Sequence, residues 1–376
     1  MSKKSFIEDI LKKADIVLNG KNSGDITVHN EKVYDRVMKR GTLGLGESYM
    51  DGWWDAEPLD EFFYKVLSAD LEKSIKTPGV CLRMLPIYFG MLLRDLGHVK
   101  RSHYVGEHHY DIGNDLYEEM LDKRMVYTCG YFQGGAKTLD EAQEAKLDLI
   151  CRKMGLKPGM SVLDIGCGWG SFLKYATEKY DIRGVGITVS EEQAKLAREH
   201  CAGLPVEIRV VDYRHMEGEF DRIVSIGMFE HVGVKYYETY MRKAKELLKP
   251  DGLFLLHTIG GHASDLTTDP WIDRYIFPGG AIPSVEQISS ALQPHFVMED
   301  WHNFGPDYAR TLRAWFANFD AAWSKLKNNP MYDEQFYRMW KYYLLSCAGA
   351  FDARHLQLWQ IVLSPNGVEG GHTRVS

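Results

Sequence analysis

The stretch "SVLDIGCGWG", residues 161–170, sets three glycines and an aspartate directly behind an apolar, β-branched run. A strand that ends in such a turn lets backbone come close to a flat or charged ligand, because glycine has no Cβ to hold the ligand off. The spacing is Gly166-x-Gly168-x-Gly170, not the G-x-G-x-x-G of a dinucleotide site. No acid closes the next strand either: "GVGIT" runs into "VSEEQ". Six cysteines (Cys81, Cys129, Cys151, Cys167, Cys201, Cys347) lie scattered without C-x-x-C spacing. That pattern fits reduced thiols in a cytosol better than a disulfide framework or a zinc site, and no metal is expected.

The turn needs a frame, and the flanking sequence supplies one. Strand-like "SVLDIG" is followed by a helical "GSFLKYATEKY", then "IRGVGIT", the helix "SEEQAKLAREHCAG", "VEIRVVD" and "FDRIVSIG". The helix "YYETYMRKAKELLK" leads to "DGLFLLHTIG". Strands alternating with helices of this length predict a parallel, doubly wound sheet. Ligands in such folds bind at the carboxyl ends of the strands. "HFVMEDWHNFG" and "LQLWQIVLS" read as two further strands, separated by an aromatic-rich helical region from "TLRAWFANFDAAWSKLK" to "MWKYYLLSCAGAF".

Before the sheet, residues 1 to about 72 hold amphipathic patterns, "SFIEDILKKADIVL" and "LDEFFYKVLSADLEK", around the glycine-punctuated "RGTLGLGESYMDGWW". Residues 73–104 carry Lys73, Lys76, Arg83, Arg94, Lys100 and Arg101 against the single Asp95. Two readings stand for this segment: a linker whose charged face is solvated, or a surface for anionic lipid headgroups. With 376 residues, 45% hydrophobic and 26% charged, the chain is globular and long enough for two domains. Its net charge of −7 argues against general nucleic-acid binding. The amino-terminal residues lack the apolar core of a signal peptide. The apolar run from Met84 to Leu93 is about half the ~20 residues that a membrane span needs. A soluble or surface-associated protein is expected.

The turn VLDIGCGWG resembles motif I of the S-adenosylmethionine (SAM)-dependent methyltransferases. "HHYDIGNDLYEEML", "MVYTCGYF", "SIGMFEHVG", "LLHTIG" and "WHNFGPDYARTL" sharpen the likeness. Together they resemble the cyclopropane-fatty-acyl-phospholipid synthases and the related mycolic acid cyclopropane synthases over nearly the whole chain. "GTLGLGESYMDGWW" resembles the amino-terminal domain that the phospholipid enzymes have and the mycolic acid enzymes lack. The resemblance implies an α/β fold: a doubly wound SAM-methyltransferase (Rossmann-like) sheet with a helical lid insertion, plus a smaller amino-terminal helical domain. The implied division is 1–100 and 101–376.

It also implies the chemistry. A cis alkene of a phospholipid acyl chain takes the methyl of SAM, and a bound bicarbonate removes a proton so that a cyclopropane closes. By resemblance the bicarbonate site falls on Cys129, Glu230, His257, Ile259 and Tyr308. Glu230 would accept from the bicarbonate hydroxyl, while the Cys129 and Ile259 backbone, His257 and Tyr308 would bind its oxygens. Taken singly, each has a blander role, such as a solvated glutamate, a satisfied core histidine or a surface tyrosine. Cys347 stands where relatives have a cysteine. It is a pocket candidate, although a cysteine between apolar helical residues is most often a small core hydrophobe. For SAM the resemblance implies Tyr127, Thr128, Gly166, Gly168, Gly170, Thr188 and Gln193, with Asp212 and Tyr213 by the adenine. Asp164 either touches the ligand or orients the turn through backbone amides.

The implied partner is a phospholipid bilayer with unsaturated acyl chains, met at the cytoplasmic face of the cell membrane; a homodimer is the candidate assembly and nucleic acid is not expected. Two alternatives compete: a methyltransferase for a small amine or sterol, which would need no such base, and a non-catalytic lipid-binding protein with a degenerate SAM fold.

Overall fold

The computed structural model describes residues 2–69 and 113–375. The basic segment 73–104 lies outside the described residues. Two short strands, β1 (Ile26–Val28) and β2 (Trp54–Ala56), pair antiparallel, and seven more form one sheet in the order β5-β4-β3-β6-β7-β9-β8. They are β3 (Ser161–Ile165), β4 (Arg183–Thr188), β5 (Val206–Val210), β6 (Phe220–Ile226), β7 (Leu248–Gly261), β8 (Val297–Asn303) and β9 (Leu356–Ser364). All seven correspond to the strands read from the sequence. β3 pairs in parallel with β4 and β6, β4 with β5, and β6 with β7; β8 and β9 pair antiparallel. β3 is buried at every position after Ser161 because a central parallel strand is covered on both faces. Leu163 and Ile165 enter one core, with Phe229, Tyr240 and Phe254, while Val162 enters the other, with Leu147, Ile150 and Phe172.

The helix Leu139–Lys153 opens on a reciprocal cap: Thr138 accepts from the Glu141 N–H, and the Glu141 carboxylate reaches back to the Thr138 N–H. Its buried face carries Leu147 and Ile150 but also Gln143, Lys146 and Lys153. Long polar side chains on an inward face are unusual, and they bear directly on the site.

The chain divides into two compact units. The sheet unit comprises residues 96–265, 279–307 and 357–376. The other comprises 1–95, 266–278 and 308–356, so its core draws on three separate stretches of sequence. In that second unit the glycines of "RGTLGLGESYM" act unequally. Gly41 leaves the helical conformation (φ 57°, ψ −135°) and divides Lys32–Met50 into two helical stretches, while Gly44 and Gly46 lie inside the second of them. Gly46 is there for close packing: a Cβ on it would stand 2.3 Å from Trp271 Cδ1. Around that contact Tyr49, Trp54 and Phe62 pack with Trp271 and Tyr342, whose rings lie 4.4 Å apart. Arg338 lies over the Tyr49 ring at 4.1 Å and donates to Trp54 O and Asp55. Among the described residues, no helix is long and apolar enough to cross a membrane.

Candidate active site

The glycine turn sits at the carboxyl end of β3. The Gly166 and Cys167 N–H groups both donate to Ile187 O of β4, at 2.9 and 3.0 Å, which ties the turn to its neighbouring strand. Gly166, Gly168 and Gly170 all have positive φ (87°, 53° and 81°). No heavy atom comes within 4 Å of where a Gly168 Cβ would stand. The turn is thus a bare backbone cradle with open space above Gly168.

The Gly166 and Cys167 amides donate to Ile187 O and the Gly170 amide to Cys167 O, so none of these three is bonded to Asp164. Its Oδ1 is buried without a hydrogen-bond partner. Burial pushes its carboxyl up to about 7, with Lys146 pulling the other way. At the end of β4 the Thr188 hydroxyl donates to Gln193 Oε1 at 2.9 Å, so the Gln193 amide nitrogen is the end left to a ligand. Asp212 is already engaged: the Arg214 backbone N–H and guanidinium donate to it at 2.6–3.0 Å. Burial alone would raise the Asp212 carboxyl, but these bonds hold it below the usual range. Tyr213 packs edge-on to Tyr240 at 4.9 Å.

Tyr127, Thr128 and Cys129 lie on one turn, fixed from beneath by two residues that the sequence reading missed. Gln143 Nε2 donates to Thr128 O at 2.7 Å and Lys146 Nζ to Thr128 Oγ1 at 2.7 Å. Burial lowers Lys146 to about 8, with Asp122, Cys129 and Asp164 opposing that shift. The available signal was their spacing, three apart on the same helical stripe as Leu147 and Ile150. After Cys129, the Asp307 carboxylate accepts from the Phe132 and Gln133 N–H groups at 2.7 and 3.2 Å.

Glu230 stands in the 3-10 turn Phe229–His231 after β6, and His257 on the adjoining β7. Glu230 Oε1 accepts from the Ile259 N–H at 2.7 Å. The Ile259 N–H, expected to meet the anion, is therefore engaged by Glu230. Glu230 Oε2 and His257 Nε2 are both buried without a hydrogen-bond partner. Burial raises the Glu230 carboxyl to about 7 against the pull of the Ile259 N–H. Burial also holds the His257 imidazole well below its ordinary value, and the positive Lys146 and Lys153 push in the same direction. The pair is a neutral imidazole and a carboxyl that titrates near neutrality. Such perturbed groups gather where chemistry is done.

Behind His257 a buried polar row crosses the sheet. Gln360 Nε2 lies 3.2 Å from His257 Nδ1, Gln360 pairs in register with His302, and His302 Nδ1 lies 3.0 Å from Lys153 Nζ. Phe304 flanks both rings, 6.0 Å from His257 and 5.1 Å from His302. Cys129, Glu230, His257 and Ile259 belong to the sheet unit, whereas Tyr308 and Cys347 belong to the other. Tyr308 stacks on Phe351 at 4.6 Å. Burial, with Asp269 adding to it, pushes the Cys347 thiol up to about 12, so it is no thiolate nucleophile at neutral pH.

A cradle for a ligand with open space above a glycine, beside an orphaned buried acceptor and an orphaned imidazole nitrogen, suits group transfer with removal of a proton. Comparison with known proteins agrees. Residues 98–361 match the family model for mycolic acid cyclopropane synthetase. The chain is 53% identical over 363 residues to the cyclopropane-fatty-acyl-phospholipid synthase of Escherichia coli K12, covering 96% of this chain and 93% of that one. The solved cyclopropane synthase MmaA2 of Mycobacterium tuberculosis superposes with a TM-score of 0.65 at 32% identity, over 72% of this chain and 99% of that one. The mycolic acid cyclopropane synthase CmaA1, solved with SAH and CTAB, gives 0.64 at 34% identity, over 69% and 97%.

Proposed function

The chain belongs to the mycolic acid cyclopropane synthetase family and is a SAM-dependent methyltransferase; we propose that its acceptor is the cis double bond of an acyl chain in a phospholipid. Bicarbonate is the proposed base. The observation that carries this reading is the pair of orphaned buried atoms, Glu230 Oε2 and His257 Nε2. Bicarbonate has one hydroxyl to donate and oxygens that accept. A carboxylate and an imidazole N–H are its complement. The bare face at Gly168 fits SAM in the same sense, because a Cβ there would occupy the open space.

When bound, SAM supplies an electrophilic methyl group and bicarbonate the base that accepts the proton. The chain's own residues do the rest. The Ile259 N–H fixes one oxygen of Glu230 so that the other faces the anion. Gln193, Asp164 and the turn Gly166–Gly170 hold and orient the donor. Lys146 and Gln143 fix the turn of Tyr127–Cys129 from below. Phe304 closes the side of His257 with an aromatic face, which keeps water off and suits a developing cation. Proximity and exclusion of water are most of what a protein can add to such a reaction. A small-amine acceptor would not call for a buried anion holder, and a non-catalytic scaffold would not call for the open cradle.

An acyl chain leaves its bilayer at a cost of about 0.8 kcal/mol per CH2. The reading therefore includes contact with the cytoplasmic face of a membrane, where the chain passes straight into the protein. The test is to incubate vesicles of a cis-unsaturated phosphatidylethanolamine with the protein and SAM. Mass spectrometry should show the gain of one CH2, and proton NMR should show high-field ring methylene signals. Unchanged lipid, or a product that still carries vinyl protons, would overturn the proposal.

A further inference from the structure

His257 and Gln360 stand on neighbouring strands, β7 and β9, and both side chains are buried. A neutral imidazole has one N–H donor and one bare acceptor nitrogen, so whatever is bonded to one nitrogen decides what the other can do. Gln360 presents its amide Nε2 to His257 Nδ1 at 3.2 Å, and nothing bonds His257 Nε2. An amide N–H can only donate, so Nδ1 is the acceptor and the ring proton sits on Nε2.

The opposite amide orientation would put the proton on Nδ1 and leave a bare lone pair on Nε2. That lone pair and Glu230 Oε2 would then both be acceptors, with no donor for an anion between them. Farther along the row Lys153, fully buried and paired with Asp300 at 3.5 Å, donates to His302 Nδ1 at 3.0 Å. Gln360 pairs in register with His302, and its Oε1 is buried without a hydrogen-bond partner, so the bond to His257 is the one its carboxamide makes.

We propose that Gln360 is a positioning residue, whose carboxamide N–H on Nδ1 holds His257 in the tautomer with its proton on Nε2 and so aims a donor at the anion. The proposal rests on the reading of His257 as part of the anion site, and Gln360 itself touches neither substrate nor anion.

The test is two-bond proton–nitrogen NMR on protein labelled with nitrogen-15 in histidine, assigned by loss of the His257 signals in His257→Asn. The wild type should show a protonated Nε2 and a bare Nδ1, with and without bicarbonate. In Gln360→Met, close in size but without a donor, the tautomers should mix, and the bicarbonate needed for half-maximal turnover should rise about tenfold while SAM affinity stays level. Gln360→Glu should bring a proton onto Nδ1. A wild-type His257 protonated on Nδ1 overturns the proposal, as does an Nε2–H pattern unchanged in both variants. If the tautomer follows Gln360 but wild-type turnover ignores removal of bicarbonate, the hold on His257 stands and the bicarbonate reading falls.

Discussion

Between pH 4.5 and about 7 the Glu230 carboxyl binds a proton in the folded chain that it does not hold when unfolded. Its folded pKa is raised, so whatever stability it lends is complete below pH 4.5 and lost as pH rises through about 7. A displacement from 4.5 to about 7 corresponds to roughly 3 kcal/mol. Glu230→Gln should therefore raise stability at pH 8 by up to about that amount, with little change near pH 4, as read by urea unfolding at the two pH values. The same variant should keep SAM binding and lose turnover by a hundredfold or more, about 2.7 kcal/mol of barrier. Wild-type turnover should have an acid limb near pH 7 that the variant lacks. Cys347→Ala should behave oppositely. A thiol pushed up to about 12 supplies no nucleophile, so we expect more than a third of wild-type turnover and a stability loss of about 1 kcal/mol from the smaller side chain. Glu230 and His257 could be named from the sequence because they stand in recognisable motifs, Glu230 just after β6 and His257 within β7. Lys146 and Gln360 could not. Their partners lie 18 and 103 residues away, and a polar residue in an amphipathic pattern reads as solvent-facing until packing turns it inward.

Elements were legible wherever one local signal dominated. The seven strands were legible as short runs set between helical patterns or turn residues, and burial on both faces explains the apolar character of the central ones. The helical stretches within Lys32–Met50 went unread because glycine is a helix breaker by propensity; Gly41 does break the helix, while at Gly46 a tertiary contact overrides propensity. Gly46→Ala gains about 1 kcal/mol of helix propensity. It also drives a Cβ to within 2.3 Å of Trp271 Cδ1, in a cluster with no room to shift. Overpacking of that kind costs about 1–3 kcal/mol, so a lowered urea midpoint is expected. Gly168→Ala has the opposite profile. Its left-handed backbone costs an alanine about 1–2 kcal/mol, and the added methyl points into open space instead of a neighbour. Calorimetric titration should show SAM affinity down at least tenfold, with the folded protein intact. An unaltered affinity would mean that the ligand does not lie against this face of the turn.

At the scale of the whole chain, a net charge of −7 repels anionic lipid, so a membrane-seeking reaction needs local relief. The sequence from 73 to 104 offers six basic residues against one acid, each contributing about 1 kcal/mol near a charged surface at low salt. Reversal of Lys100 and Arg101 to glutamate should weaken sedimentation with phosphatidylglycerol vesicles at low salt while SAM affinity is unchanged. Equal sedimentation would remove both residues from the docking face. The sequence places a boundary near residue 100, while the compact unit that holds residues 2–69 also takes in 266–278 and 308–356. Local pattern gives no sign of such pairing, because it shows that a face is apolar and not which distant face will cover it. There is a further consequence, and it concerns birth order. Tyr49, Trp54 and Phe62 leave the ribosome long before Trp271 and Tyr342, the rings that complete their cluster. At about 5–20 residues per second, the first segment waits for some tens of seconds with its aromatic face uncovered. A nascent chain in that state is a client for a holding chaperone, and a message cut short after residue 265 would yield a product that can never close that core.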